Sequence, residues 1–339
     1  MPSQYREITD HTLLDNQQWN NFVLTHPNGN VFQSPQFYLA VSATKKYQPL
    51  LVAITDNDGV ILGLMVAMIQ AEHSWPLNIF SARSIIHGGP LLRVDDAEIL
   101  KILLEEYTKI IKLKAIYTQF RNLKQIDYYR PFFIDKGYNF EDHLNILVDL
   151  SKSEEQLWKE IESKRRNEIR RATKEGTIFR EITSEFEFKI SYDILFGVYS
   201  RVKIPLPSYD VFWILYSILQ VDKIMRCFVA EWNGKIIGTM IVFCYRDTIF
   251  DWYAGAYKEY YDKYPNDLIP WEVFKWGKKN GFKIFDFGGA GKPNEKYSVR
   301  DYKKKFGGKL VNFGRFICIH KPLLWRYGNM AYSIYKLFR

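Results

Sequence analysis

The sequence has few of the features that mark secreted, metal-binding or redox proteins. It contains only three cysteines and six histidines in 339 residues. The cysteines are far apart, odd in number and set in apolar runs, which predicts reduced, buried thiols rather than a disulfide framework or a zinc site. The histidines show no HxxxH or CxxC…H spacing, so the sequence predicts no metal site.

Long apolar runs are also missing. The segment 1–7 lacks the apolar stretch of a signal peptide. The longest apolar run, residues 60–69, is about half of the ~20 residues that a membrane-spanning helix needs. We therefore expect a cytoplasmic protein that can touch the inner face of the membrane without crossing it.

The chain does have length, apolar content and positive charge. Its 339 residues exceed the usual size of a single core, so two domains are expected. Hydrophobic residues make up 47% and charged residues 25%, as in ordinary folded proteins. The net charge of +9 favours an anionic partner such as a phosphate-bearing substrate, tRNA or an anionic membrane face, although plain solubility also accounts for it.

A hairpin pattern occurs twice, about 175 residues apart. Asp58-Gly59 and Asn233-Gly234 supply residues that tolerate the positive φ of a tight turn. Gly63 and Gly238 follow inside the next strand, where a glycine indicates a bulge or a close backbone approach. In each half, a strand, a helix and a short strand come next, which predicts α/β layers in two related domains. Chance similarity of two hairpins is the alternative.

These patterns place a first domain at residues 1–150 and a second at 151–320. A C-terminal amphipathic helix is predicted over 321–339. Its apolar stripe fits docking against the core, and its aromatic and basic remainder is also typical of a helix that lies on a membrane surface.

A basic helix over 153–175 is predicted to open the second domain. Ser153 is its expected N-cap and Gly176 ends it. Arg165 falls on the apolar stripe of this helix, which is unusual, and Arg166 and Arg170 lie beside it one turn apart. Spacing alone favours a solvated basic face.

Several short motifs in the second half resemble those of a known protein family. They are 251–256 (DWYAGA), 264–272 (YPNDLIPWE), 285–289 (FDFGG), 302–308 (YKKKFGG) and, in the basic helix, 166–172 (RNEIRRA). In this order and spacing they resemble the Fem family of peptidoglycan-bridge aminoacyltransferases and its acetyltransferase-like relatives. The resemblance covers roughly residues 150–315 and is thinner before them.

The resemblance implies two tandem GNAT-like domains, each a mixed sheet flanked by helices. It implies an enzyme that transfers an amino acid from aminoacyl-tRNA to an amine of a nucleotide- or lipid-linked envelope precursor, with no bound cofactor. Some relatives use acyl-CoA, so an acyl-CoA-dependent N-acyltransferase acting on an amino sugar or a surface polysaccharide precursor is the alternative. A non-catalytic RNA- or membrane-binding protein is a third hypothesis, and the oligomeric state stays open.

The resemblance also implies roles for individual residues. Lys303, in the pattern [Phe/Tyr]-Lys-x-x-Phe-Gly, would lie at the active site, and Arg166 would lie near the phosphates of the acceptor, with Arg170 beside it. An ammonium group at the carbonyl oxygen stabilises the charge that develops during acyl transfer. Because Lys304 and Lys305 follow directly, the run on its own would be read as a solvated face.

Five further candidates come from the strands of the second half and the turn after them. Asp286 ends a short strand before Gly288 and Gly289, where a loop can carry all three to a substrate-binding cleft. Asp286 is expected to accept the proton of the amine or, alternatively, to cap the turn made by the two glycines. Trp252 and Tyr253 are expected to wall the acceptor site or, alternatively, to belong to the core.

The second half lacks the glycine-rich turn that usually binds the acyl-CoA donor in a GNAT domain. A GNAT domain that binds acyl-CoA normally has a glycine-rich turn whose amides hold the pyrophosphate at a helix N-terminus. Here the turn is 262–266 (DKYPN), and Pro265 removes one donor. This favours aminoacyl-tRNA over acyl-CoA as the donor. The sequence also has no GxSxG and no Walker motif, so hydrolase and NTPase activities have no support.

Overall fold

The structure, a computed structural model, describes residues 5–71 and 81–328. Its strands are β1 (Arg6–Ile8), β2 (Tyr47–Thr55), β3 (Ile61–Gln70), β4 (Arg83–His87), β5 (Leu91–Leu92), β6 (Tyr117–Arg121), β7 (Asn139–Glu141), β8 (Leu144–Asp149), β9 (Ile178–Glu181), β10 (Met225–Trp232), β11 (Lys235–Tyr245), β12 (Thr248–Ala256), β13 (Ile284–Gly289), β14 (Lys309–Asn312) and β15 (Arg315–Ile319). Its helices are α1 (Asn16–Thr25), α2 (Pro35–Ala43), α3 (Ala97–Lys114), α4 (Arg130–Asp135), α5 (Glu154–Glu160), α6 (Ser163–Lys174), α7 (Glu185–Arg201), α8 (Tyr209–Leu219), α9 (Pro265–Lys279) and α10 (Ser298–Lys304).

The chain divides into two compact units, one of residues 1–142 with 313–339 and one of residues 143–312. The first unit has a sheet in the order β1-β2-β3-β4-β6-β15-β7, with β5 paired to β3. The second has the order β9-β10-β11-β12-β13-β8-β14. Each sheet has one parallel pair, β4 with β6 and β12 with β13, and its other described pairs are antiparallel. The two sheets therefore repeat one plan, which confirms the predicted fold of two related α/β domains.

The domain boundaries of the structure differ from the predicted ones because of two strands, β8 and β15. β15 enters the first sheet between β6 and β7, and β8 enters the second between β13 and β14. The boundaries predicted at 150 and 320 fall just after these two strands, whereas the units of the structure divide just before them. The alternation of side chains along a strand predicts its two faces, but not the sheet to which it pairs.

Helices cover both faces of the second sheet. Side chains of successive strand residues point to opposite faces. Cys227 of β10 reaches Ser191 of α7, whereas Phe228, the next residue, packs on Trp276 of α9. The core between the sheet and α9 includes Phe274.

All three cysteines of the protein are free thiols.

Both predicted hairpins form, and both contain a bulge next to the strand glycine. In β2–β3 the pairing shifts by one residue beside Gly63, and in β10–β11 it shifts beside Gly238. A Cβ atom on Gly238 would lie 2.7 Å from Cβ of Pro265 at the start of α9. A Cβ atom on Gly63 would lie 2.9 Å from Cγ2 of Ile99 in α3. The glycine at this position lets the following helix pack against the strand.

Replacing Gly238 with alanine is expected to lower the free energy of unfolding by about 1–3 kcal/mol, because the added methyl group must displace the first turn of α9. Gly197, inside α7, is the matched control, since a Cβ atom there meets nothing within 4 Å. Gly197→Ala is expected to be neutral or to stabilise the protein by up to about 1 kcal/mol. Urea denaturation measures both, and equal stability of the two variants would contradict the close approach.

The predicted basic helix over 153–175 is two helices, α5 and α6. Ser153 caps α5 as expected, through a capping box with Gln156. The helix breaks at Ile161, which takes an extended conformation and buries its side chain in the core. The N–H of Glu162 then donates to the carbonyl oxygen of Lys305 at 2.8 Å instead of to the preceding turn. Tertiary contacts of the backbone thus override a continuous helical pattern.

The C-terminal segment is described in part. Residues 322–328 are helical, as predicted, and the rest of the predicted amphipathic helix, 329–339, lies outside the described residues. In the parts of the chain that the structure describes, no helix combines the length and the apolar character needed to cross a membrane.

Candidate active site

The parallel pair of the second sheet separates part-way along its strands. Pairing between β12 and β13 ends at Phe250 and Asp286, although β12 continues to Ala256 and β13 to Gly289. Carbonyl groups beyond this point are available to side chains or ligands rather than to a sheet partner. This end of β13 is where the motif residues of the second half come together.

Lys303 extends from α10 to this end of β13. Its ammonium group donates hydrogen bonds to the carbonyl oxygens of Phe287 (2.5 Å) and Gly289 (3.1 Å). Burial lowers the pKa of Lys303 from its ordinary value, while the negative charges of Asp251 and Asp286 oppose that shift. Because an ammonium has three donors, one N–H remains for another acceptor. The structure thus singles out Lys303 as the one lysine of the three whose ammonium is held by two described hydrogen bonds.

Asp251 lies in β12 beside a β-bulge. Relative to β11, β12 has one extra residue, Trp252, between Asp251 and Tyr253. The Oδ1 atom of Asp251 is buried and has no hydrogen-bond partner. Burial raises the pKa of Asp251 to about 6; the charge of Lys303 lowers it and the charge of Asp286 raises it. An unsatisfied buried carboxylate is costly to folding, so its presence in a strand points to a functional role.

Asp286 closes a second bulge, in β13. One extra residue lies between Asp286 and Gly289 relative to β8, and Gly288 has a φ of +68°. The N–H of Gly288 donates to Oδ1 of Asp286 at 2.7 Å, and Nδ2 of Asn145 contacts the same oxygen at 3.4 Å. These contacts agree with the interpretation of Asp286 as the cap of the glycine turn. Its role as proton acceptor stays a prediction.

A buried ion pair between Arg165 and Asp267 joins α6 to α9 next to α10, the helix that carries Lys303. Nη1 of Arg165 lies 2.5 Å from Oδ1 of Asp267 and 2.8 Å from Oε2 of Glu168. The guanidinium also lies 5.8 Å from the ring centre of Tyr302, the neighbour of Lys303. The hydroxyl of Tyr302 donates to the carbonyl oxygen of Asn266 at 2.5 Å. Arg165 lies on the apolar stripe because it neutralises a buried carboxylate, and the network fixes the position of α10.

Arg166 and Arg170 occupy the outer side of α6. Arg166 is half-buried, and its side chain forms no hydrogen bond or ion pair with the described residues. Arg170 is exposed, lies 5.1 Å from the ring centre of Trp158 and donates to Oδ1 of Asn167 at 3.1 Å. Both side chains are accessible to an anionic ligand, and binding of such a ligand stays a prediction.

Trp252 and Tyr253 both face α8 because of the bulge that separates Tyr253 from Asp251. Their rings lie 4.9 Å from the ring of Phe212, and the Trp252 ring also lies 5.0 Å from Phe243. The Tyr253 ring lies 5.4 Å from Tyr199 of α7. This packing agrees with the interpretation of the two residues as core, although both are only half-buried. Their role as walls of an acceptor site stays a prediction.

Sequence reasoning missed Asp251 as a site residue and the partner of Arg165. The signal for Asp251 was present, because a carboxylate interrupts the apolar strand 248–256. The signal for Arg165 was its place on the apolar stripe of α6. Its partner, Asp267, lies 102 residues further along the chain, and no local pattern connects residues so far apart.

A separate crevice of about 400 Å³ lies between the start of α7 and the β10–β11 hairpin. Arg180 on its wall is ion-paired with Glu187 (2.6 Å) and Glu231 (2.7 Å). Since the one cation named on its wall is already bound by two carboxylates, the crevice is a weaker candidate site than the cluster around Lys303. Within the described residues, no group of three or more His, Cys, Asp or Glu side chains could hold a metal ion.

Comparison with known proteins agrees with this fold. Residues 163–304, which contain Asp251, Asp286 and Lys303, match the family described as acetyltransferase (GNAT) domain. The chain is 22% identical to the UDP-N-acetylmuramoylpentapeptide-lysine N(6)-alanyltransferase of Weissella viridescens, over 86% of this chain and 88% of that protein.

Two further likenesses cover most of the chain. It is 21% identical to the lipid II:glycine glycyltransferase of Staphylococcus haemolyticus, over 91% of this chain and 93% of that protein. The crystal structure of FemX superposes with a TM-score of 0.73 at 16% identity, covering 95% of this chain and 99% of that one. At this identity the superposition establishes the fold.

Proposed function

We propose that this chain, an acyltransferase of the Fem type built from two GNAT-like units, transfers an aminoacyl group from aminoacyl-tRNA to an amine of a peptidoglycan or other cell-envelope precursor. The relatives named above act, by their names, on a nucleotide-linked muropeptide and on lipid II. Because aminoacyl-tRNA is a cytoplasmic substrate, the reaction would take place in the cytoplasm, at the inner face of the membrane when the acceptor is lipid-linked.

The observation that carries the proposal is the buried ammonium of Lys303. Two carbonyl oxygens fix it at 2.5 and 3.1 Å and leave one N–H for a substrate oxygen. When an amine attacks an ester carbonyl, negative charge develops on the carbonyl oxygen. A fixed cation in a water-poor site stabilises that charge without reorganising during the reaction. Lys303 would therefore act as the electrostatic stabiliser of the tetrahedral transition state.

The N-terminus of α9 supports aminoacyl-tRNA rather than acyl-CoA as the donor. A pyrophosphate at this position would need free backbone amides and positive potential. Pro265 has no N–H, and the N–H of Asp267 donates to the carbonyl oxygen of Tyr264 at 3.1 Å. This helix end is thus a poor anion site.

The function is tested by reconstituted transfer. The purified protein is incubated with UDP-MurNAc-pentapeptide or lipid II as acceptor and with a mixed aminoacyl-tRNA pool or acetyl-CoA as donor. Mass spectrometry is expected to detect an added amino acid only with aminoacyl-tRNA. An acetylated product would support the acyl-CoA alternative. No product with any pair, joined with unchanged envelope precursors in cells lacking the protein, would overturn the proposal.

Arg166 provides a test of the acceptor side. Arginine binds phosphate in a bidentate geometry that lysine does not reproduce. Arg166→Lys is therefore expected to weaken binding of UDP-MurNAc-pentapeptide roughly tenfold in isothermal titration, even though the charge is kept. Arg201→Lys, at the exposed end of α7, is the matched control and should bind like the unmodified protein. Equal affinity of all three proteins would exclude bidentate phosphate recognition by Arg166.

A further inference from the structure

We propose that Asp251 is a further catalytic residue, whose carboxylate takes the proton that the acceptor amine loses as it attacks the acyl carbonyl. The inference rests on the proposed transfer function and adds the proton acceptor of that reaction. Its basis is the place of Asp251 in the sheet, the state of its oxygen atoms and the charged groups around it.

The place of Asp251 follows from the two bulges. β12 and β13 stop pairing at Phe250 and Asp286, so Asp251 is the first residue of β12 beyond the parallel ladder. The bulge at Trp252 changes the alternation of β12 immediately after Asp251. The charges of Asp251 and Lys303 shift each other's pKa, yet the two side chains form no salt bridge with each other.

The two carboxylates of the site differ in their hydrogen bonds. Oδ1 of Asp286 accepts the N–H of Gly288 at 2.7 Å and holds the glycine turn. Oδ1 of Asp251 is buried and has no hydrogen-bond partner. A general base must have a lone pair available for the proton that it abstracts. The geometry therefore assigns the role of base to Asp251 and a positioning role to Asp286.

The titratable groups that face Asp251 come from three elements: Asp286 on β13, Lys303 and Tyr302 on α10, and Tyr199 on α7. Burial raises the pKa of Asp251 to about 6, and it raises the pKa of Tyr199 to about 12. At neutral pH, Asp251 is therefore mainly a carboxylate of raised basicity. A base whose pKa lies near the working pH is well matched to proton transfer.

The proton balance of the step is complete. The acceptor ammonium first loses one proton to water. The neutral amine then forms the N–C bond, and the nitrogen of the tetrahedral intermediate, now far more acidic, passes a proton to Asp251. The C–O bond to the terminal ribose of the donor breaks, and the ribose oxygen takes the proton back from the carboxylic acid. The products are an amide and a free ribose hydroxyl, and Asp251 is again ionised.

The test is the pH dependence of single-turnover transfer from aminoacyl-tRNA to UDP-MurNAc-pentapeptide. In the unmodified protein the rate is expected to rise more steeply with pH below about pH 6, where Asp251 ionises as well as the acceptor amine (the acid limb), than above it, where only the amine loses protons. Asp251→Asn should lower the rate at pH 7.5 at least ~10²-fold and remove this acid limb. Asp286→Asn should keep the limb but move it to lower pH, because a neighbouring negative charge is lost. Asp222→Asn, at an exposed loop, should match the unmodified protein.

A second measurement does not depend on activity. Since the pKa of Asp251 is higher in the folded than in the unfolded chain, its ionisation weakens folding as pH rises from about 4 to above 6. Asp251→Asn should therefore raise the melting temperature by a few degrees at pH 8 and by much less at pH 4.5.

The possible results separate the two proposals. Absence of transfer by the unmodified protein would remove the proposed function and leave the stability result standing. An active unmodified protein whose acid limb persists in Asp251→Asn would overturn the role of Asp251 alone. Loss of the limb in Asp286→Asn, with Asp251→Asn retaining it, would assign the base to Asp286.

Discussion

Replacing Lys303 with alanine is expected to lower the transfer rate roughly 10²- to 10³-fold, the effect of removing one fixed electrostatic stabiliser of a transition state. The ammonium is buried, bonded to the carbonyl oxygens of Phe287 and Gly289, and therefore positioned before substrate binds. Lys303→Met retains most of the apolar stem and should lose as much activity, which separates the charge from its packing. Single-turnover rates with aminoacyl-tRNA and UDP-MurNAc-pentapeptide measure the loss.

Lys304 and Lys305 are the matched controls within the same run. Lys304 is exposed and Lys305 is half-buried, and neither ammonium is held by carbonyl groups of the described residues as that of Lys303 is, so Lys304→Ala and Lys305→Ala should change the rate less than threefold. Thermal melting checks that each variant is folded. Equal losses in all three alanine variants would indicate a diffuse basic surface, and a loss confined to Lys305 would mean that the motif lysine is not the one that acts. The lowered pKa of Lys303 further predicts that activity falls at alkaline pH before 10.5.

Replacing Arg165 with methionine is expected to lower the free energy of unfolding by about 3–5 kcal/mol, since removal of one partner leaves the other charge buried and unpaired. Asp267 is buried, with a side-chain exposure of 7%. Burial raises its pKa to about 6 and Arg165 opposes that rise. Without Arg165 the pKa should rise further, so the loss of stability should be larger at pH 8 than at pH 5. Urea denaturation at both pH values measures it.

Two comparisons make this prediction specific. Arg165→Met combined with Asp267→Leu removes both charges and should recover most of the lost stability, because a buried pair can be replaced by apolar residues at little cost. Arg170→Met, on the exposed side of the same helix, should change stability by less than about 1 kcal/mol. If Arg165→Met and Arg170→Met are equally stable, the buried ion pair does not hold α6 to α9.

The local elements of the second unit were predictable because their signals are local. Asn233 and Gly234 both have positive φ in the turn between β10 and β11, as the dipeptide indicates. Helix α9 ends at Lys279, two residues before Gly281, which has a φ of +83°. The order of strand, helix and strand after the hairpin is also as expected. Turn chemistry and periodicity depend on neighbouring residues, so a single sequence contains them.

The motif and its resemblance selected Lys303, but the sequence alone did not distinguish a buried lysine from a solvated run. That distinction depends on two carbonyl groups at the end of β13, 14 and 16 residues away along the chain. The base proposed here, Asp251, depends in the same way on a bulge against β11 and on charges from β13 and α10. Burial and bulges arise only when distant strands pair.

The sequence by itself therefore determined the α/β class, the duplicated hairpins, the helix that follows the hairpin in each half and the resemblance to acyltransferases. Tertiary structure alone decided the partner of Arg165, the separation of the basic helix into α5 and α6, and the exchange of β8 and β15 between the two sheets. The physical reason is the same in each case. Local propensity and side-chain alternation fix what a segment becomes, whereas its partner is chosen by burial and hydrogen bonding across long sequence separations.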